Sequence, residues 1–132
     1  MKAFARDEQG QTAVEFALVA PFLIAIVLAI WQLGVAFHDY VTLTDAARAG
    51  ARQAIVFRFN GGTLTNAQQA VRNSASDLDQ SQLGVSVTDP NWNVSGSTVT
   101  VTATYPYNIS IPLLGINVAS GNLSATAKEE LE

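Results

Sequence analysis

From Phe16 to Phe37 the chain carries no charged side chain, and no other feature constrains its fold as much. A helix of that length spans about 33 Å at 1.5 Å per residue, which matches the roughly 30 Å hydrocarbon core of a bilayer. The stretch Phe16 to Trp31 is apolar all round, the mark of a helix that is buried on every side or faces lipid. Pro21 removes one backbone hydrogen bond and predicts a bend. Glu15 stands at the edge of the run. A carboxylate held at mid-membrane costs about 2.5–3.5 kcal/mol, so it requires a reason to be there. Trp31 and Tyr40 suit the far interface, where aromatic residues with a polar tip concentrate. Before the span lies a short polar leader, Met1 to Gly10, with Lys2 and Arg6 set against Asp7 and Glu8. No Lys or Arg follows until Arg48, an asymmetry that favours a cytoplasmic leader.

Nothing breaks the helix after the span. Between His38 and Phe57 there is no proline and the only glycine is Gly50. Val41, Ala47, Ala51 and Ile55 share one side at helical spacing, and Asp45, Arg48 and Arg52 make a polar stripe. One helix from about Ala13 to about Phe57 follows, stopped by Asn60-Gly61-Gly62. Thr65 is the expected N-cap of a second helix through Leu78, with Ala67, Ala70, Val71, Ala75 and Leu78 on its inner side. The period then changes to two: Leu83, Val85 and Val87; Trp92 and Val94 after the turn at Asp89-Pro90; Val99, Val101, Ala103 and Tyr105; and last Leu123, Ala125 and Ala127. Three or four antiparallel strands with one apolar face can pack on the outer half of the long helix. The fold class is α+β. Its expected divisions are a leader (1–10), a transmembrane helix (11–37) and a soluble α+β domain (38–132).

Composition narrows the function. The chain has no cysteine, so neither disulfides nor thiolate metal sites are available. A net charge of −4 with no basic stripe argues against nucleic acid as a partner. The one histidine, His38, abuts the span, so the soluble domain has no base for a Ser-His pair and the chain reads as no enzyme. Asp77, Asp79 and Ser81 resemble the opening of a calcium loop, but Gln82 stands where that loop needs glycine and Thr88 where it needs an acid. No metal and no cofactor is expected. Ala46-Ala47-Arg48-Ala49-Gly50-Ala51-Arg52 lets another backbone approach closely, either the domain's own sheet or second helix or a neighbouring subunit. The segment Ile109 to Ile116 is apolar for a loop, and it reads equally as a partner-binding patch or as a flap over the sheet's core.

A glycine-ended leader with glutamate at the fifth position after it and an apolar helix beyond is the processing and assembly signal of type IV pilin-like proteins. More narrowly, Gly10 followed by Thr12-Ala13-Val14-Glu15-Phe16-Ala17-Leu18-Val19-Ala20-Pro21 resembles the N-terminus of TadE-like pseudopilins of the tight-adherence (Tad, or Flp) pilus system. Leu43 to Arg52 is similar to that family's Ala-Ala-Arg-x-Gly-Ala-Arg signature. The strand ending in Tyr105-Pro106-Tyr107 is similar to its Val-rich strand closing in Tyr-Pro-aromatic.

The resemblance implies cleavage between Gly10 and Gln11 by a prepilin peptidase, and a minor pilin that starts or regulates assembly of an adhesive pilus. It implies Glu15, Phe16 and Pro21 as subunit contacts. The expected partners are other pilins and the inner-membrane assembly platform, with the soluble domain outside the cytoplasm of a bacterium. Cleavage would free an amine on Gln11 that the Glu15 carboxylate of a neighbour could neutralise, so each offsets the other's desolvation. Two rivals stand beside this reading: an unprocessed single-pass membrane scaffold, and a secreted binding module cut at Gly34-Val35-Ala36 by an ordinary signal peptidase.

Overall fold

The computed structural model describes residues 8–89, 96–111 and 115–130, with the side chains of residues 8 and 9 left out. The first element, α1, is one helix of 52 residues, Glu8–Phe59, with Pro21 inside it. At 1.5 Å per residue it is about 78 Å long. It ends as expected at the Asn60-Gly61-Gly62 stop. Gly61 takes a φ of 71°, open to glycine at little cost, and the Gly62 N–H closes on the Phe57 carbonyl at 2.6 Å.

The second helix, α2 (Leu64–Ser74), is shorter than expected and starts earlier. Its N-cap is Thr63 rather than Thr65. Asn66, three residues on, accepts from the Thr63 N–H at 2.8 Å and from the Thr63 hydroxyl at 3.0 Å. This interaction fixes the first turn one residue after Thr63. The helix ends at Ser74, before Leu78, yet Ala75 and Leu78 still reach the core from the turn that follows.

Three strands follow: β1 (Gly84–Thr88), β2 (Thr98–Ile111) and β3 (Ile116–Glu130), antiparallel throughout in the order β1-β2-β3. The Trp92–Val94 alternation falls outside the described residues. The strand beginning at Val99 does not stop at Tyr105 but runs on through Pro106 to Ile111. Proline is tolerated there because β1 pairs only with Thr100 to Thr104, so the missing N–H lies on an open edge. Below that level β2 and β3 form a two-stranded ribbon, with Tyr107 opposite Gly121.

The core lies between the upper half of α1, α2 and the sheet. Leu43, Ala46, Ala47, Ala51 and Ala54 of α1 meet Ala67 and Val71 of α2 and Val99, Val101 and Ala103 of β2. The inner face of α1 is rotated from the expected one, since Val41 is exposed and Ile55 only packs against the cluster's rim. Alanines here allow the backbones to come close, and each contributes little area, so the core rests mainly on Leu43, Val71, Leu78, Leu83, Val99 and Val101.

Candidate assembly and membrane-facing site

The lower half of α1 has no partner among the described residues except near its top. Phe16 is 66 % exposed, Leu18 68 % and Phe22 66 %. Pro21 is exposed, and Gly10 lies within the first turns of the continuous helix. One i, i+4 contact orders the start of this region: the Gln11 side-chain amide donates to Glu15 Oε1 at 3.1 Å. The two residues named as processing and assembly positions thus face each other on one helical turn. α1 is long and apolar enough to cross a membrane, and an N-terminal helix of this kind is a membrane anchor or a signal sequence.

The small-residue stretch has a different environment. Ala46 and Gly50 are buried inside the molecule. A methyl group added at Gly50 would collide with Val71 Cγ2 and touch Val101 Cγ1, so α2 and β2 both lean on that position. Arg48 and Arg52 point to the outer side. Arg48 pairs with Asp45 at 3.7 Å, and both are well exposed. A solvated pair of this kind adds little.

One contact that sequence reading missed ties the two halves together. The Ser110 N–H donates to Gln32 Oε1 at 2.7 Å, and Gln32 Nε2 donates to the Ser110 carbonyl. The amide of Gln32 therefore pairs with the strand backbone as another strand would. The signal was present: besides the indole of Trp31, Gln32 is the one hydrogen-bonding side chain between Phe16 and Phe37. Next to this contact the register shifts: Ile109 faces Ala119, Ser110 faces Asn117, and Val118 is skipped as a β-bulge. Beside it lies an apolar groove of about 780 Å³, lined by Ile30, Leu33, Phe37 and Tyr40 of α1 and by Tyr107 and Ile109 of β2. Ile109–Ile111 and Ile116 are thus the lower end of the ribbon, and residues 112–114 lie outside the described residues.

Residues with catalytic or metal-binding chemistry serve local structure. Asp79 accepts from the Ser81 hydroxyl at 2.6 Å, from the Ser81 N–H at 2.9 Å and from Gln82 Nε2 at 3.1 Å. These bonds, that of the Ser81 hydroxyl first, hold its carboxyl below the usual carboxylate range. The Asp77–Asp79–Ser81 sequence is therefore a turn closed on itself, and among the described residues no group of three His, Cys, Asp or Glu converges. His38 Nδ1 lies 3.5 Å from Asp39 Oδ1 at the top of the uncharged span.

Comparison with known proteins agrees with the N-terminal pattern. Residues 10–52, from Gly10 to Arg52 of α1, match the family model described as TadE-like protein, and this part of the chain is similar to that family. No curated protein and no solved structure matches the chain.

Proposed function

We propose that this chain, TadE-like over residues 10–52, is a minor pilin or pseudopilin of a Tad-type pilus, non-enzymatic, which starts or regulates filament assembly. The leader is removed after Gly10 by a prepilin peptidase. The lower half of α1 leaves lipid to pack against the same half of other pilins, and the domain above it stays outside the cytoplasm. The observation that carries this reading is the division of one continuous helix: large apolar side chains are bare from Val14 to Phe37, and alanine and glycine are buried from Leu43 to Ala54. The lower half needs a partner that the described residues do not provide, and Glu15 stands at its start. In a dry helix bundle that carboxylate requires a cation, and the Gln11 amine released by cleavage is one of the right charge at the right end.

The rival signal-peptide reading sits poorly with Gln32. A cut after Ala36 would separate Gln32 from Ser110 and remove Ile30 and Leu33 from the groove. The mature N-terminus decides among the readings. Mass spectrometry of membrane-extracted protein, from cells with an active prepilin peptidase, is expected to find Gln11 first. Phe37 would make the chain a secreted module, and Met1 an unprocessed anchor. A bulky residue in place of Gly10 is expected to stop cleavage without stopping insertion, because the apolar span drives insertion by itself.

A further inference from the structure

The ribbon of β2 and β3 runs down α1 toward the uncharged span. At its upper end Val101 meets Gly50, and at its lower end Ser110 meets Gln32. The two measures of that descent agree. From Gly50 to Gln32 is about 27 Å of helix, and from Val101 to Ser110 about 30 Å of strand. The ribbon's lower end therefore lies beside the last turns of a segment that has no charge until His38 and Asp39. Six helical residues separate Gln32 from His38, an axial distance of about 9 Å.

The ribbon's composition follows its position. After Asp89 the chain carries no charged residue until Lys128. Lys128, Glu129 and Glu130 pair with Thr100, Val99 and Thr98, so the sheet's charges all lie at its upper end. At the lower end Ile116 and Val118 are exposed, and the groove between ribbon and helix is apolar. The backbone at that end is partly satisfied from within, since the amide of Gln32 takes both the N–H and the carbonyl of Ser110.

We propose that the lower end of the β2–β3 ribbon, with Ile116 and Val118 at its surface, rests in the outer interface of the bilayer that α1 crosses, as a second membrane contact. The inference depends on α1 spanning the membrane. The partner is the headgroup and upper acyl region of the lipids, reached by apolar contact without charge, so a zwitterionic bilayer suffices. Depth is limited by the ribbon's open edges. In hydrocarbon each unpaired backbone group would cost several kcal/mol, whereas at the interface water and headgroups satisfy it. The contact is thus as shallow as that of an interfacial helix, about 5–10 Å. It fills the groove with acyl chains at its lower mouth and fixes how the domain is turned about the helix axis.

The absence of cysteine makes the test direct. The full chain would be reconstituted in phosphatidylcholine vesicles as three single-cysteine variants, Val27→Cys, Val118→Cys and Ser124→Cys, each carrying a nitroxide. Accessibility to oxygen, which concentrates in lipid, would be compared with accessibility to a water-soluble nickel chelate. Val27 reports the span and Ser124 the ribbon above the interface. The ratio of oxygen to nickel accessibility at Val118 is expected to exceed that at Ser124 by about threefold and to fall below that at Val27. Ile116→Cys gives the same reading from a second exposed position. If Val118 and Ile116 behave as Ser124 does while Val27 lies in lipid, the second contact does not exist and the span stands. If Val27 is itself aqueous, the span and the contact fall together. If the Val118 nitroxides broaden one another and sharpen on dilution with unlabelled protein, a second copy occupies the site and the lipid proposal is overturned.

Discussion

The two halves of α1 differ in side chains and in surroundings: the lower is uncharged from Phe16 to Phe37, while the upper carries Asp45, Arg48 and Arg52 on its outer face. From Val14 to Phe37 the large apolar side chains are Phe, Leu, Ile, Val and Trp, mostly bare; from Leu43 to Ala54 the inward ones are Leu, Ala and Gly, wholly covered. Size separates the inward apolar residues of the upper half from the bare ones of the lower. A helix that meets its own domain at close range needs small residues, because α2 and β2 approach its backbone directly. A helix that meets lipid or other helices later is free to carry large ones, which give more area to whatever covers them. Along this helix, small inward residues mark the part that the chain's own domain covers.

The largest effect is expected where the lower half must find that partner. Glu15→Ala removes a costly carboxylate, so insertion should be equal or better; in the proposed assembly it would leave a neighbour's Gln11 amine unpaired in a dry contact. An orphaned buried charge costs about 3–5 kcal/mol, at least about a hundredfold in association. Glu15→Gln should be nearly as poor, since it keeps the shape and loses the charge. Co-purification with other pilins, at matched protein levels, reads this out. Normal assembly by Glu15→Ala would make the carboxylate a rim residue and remove the electrostatic difference between the halves.

Two glycines sharpen the comparison within one helix. Gly50→Ala drives a methyl into Val71 and is expected to cost about 1–3 kcal/mol, a melting temperature lower by on the order of 10 °C for a domain this size. Gly34 has nothing within 4 Å of an added methyl. Gly34→Ala should instead leave stability unchanged or raise it by about 0.5–1 kcal/mol through helix propensity. Thermal melts of the full chain in detergent give both numbers. Equal losses at the two sites would mean that the lower half is also packed.

A smaller effect belongs to the contact that joins the halves. Gln32→Leu keeps the size of the side chain but leaves the Ser110 N–H and carbonyl without their partner, which costs about 1–3 kcal/mol if they stay dry and less if water reaches them. Hydrogen exchange at the Ser110 amide should accelerate while the amides of Val99 and Val101 stay protected. Uniform acceleration would mean that the ribbon and the core unfold as one unit.

The smallest effect is at Asp79, in the exposed turn after α2. Its folded pKa is depressed, so the stability it contributes is complete above the unfolded value, near 3.9, and is lost as pH falls through the folded value. Asp79→Asn should lower the melting temperature slightly at pH 7 and flatten its decline below about pH 4. A variant whose acid limb matches the parent's would show that the Ser81 and Gln82 bonds add nothing measurable.

Much of the fold was legible because its periods are local. The unbroken helix, its stop at Gly61, and the alternation of Val99, Val101 and Ala103 all follow from neighbours within a few residues. Thr63 and Thr65 were indistinguishable as caps by type; Asn66 decided between them by lying three residues after one and next to the other. The inner face of α1 was misread because small residues run nearly all round it, and only the position of α2 selects Ala46 and Gly50 over Val41. At Gly10, Gln11 and Glu15 the spacing carries an expectation of processing and assembly, to which the structure adds the Gln11–Glu15 side-chain contact. The site was not legible at Gln32, whose partner Ser110 lies 78 residues away and offers only its backbone. A side chain that pairs with backbone leaves no residue type for sequence to match.

That separation also orders the chain's assembly in time. α1 and α2 join across a turn of a few residues and can meet early, because short loops close quickly and with little loss of entropy. The Gln32–Ser110 contact closes across 78 residues, and its ribbon needs β3, which is synthesised after both helices. By then an inserted α1 is already held by its span. Where α1 is inserted, the ribbon reaches Gln32 by folding down from the domain rather than by threading through a bilayer, and a chain stopped before Leu123 would keep the helix while losing its clasp.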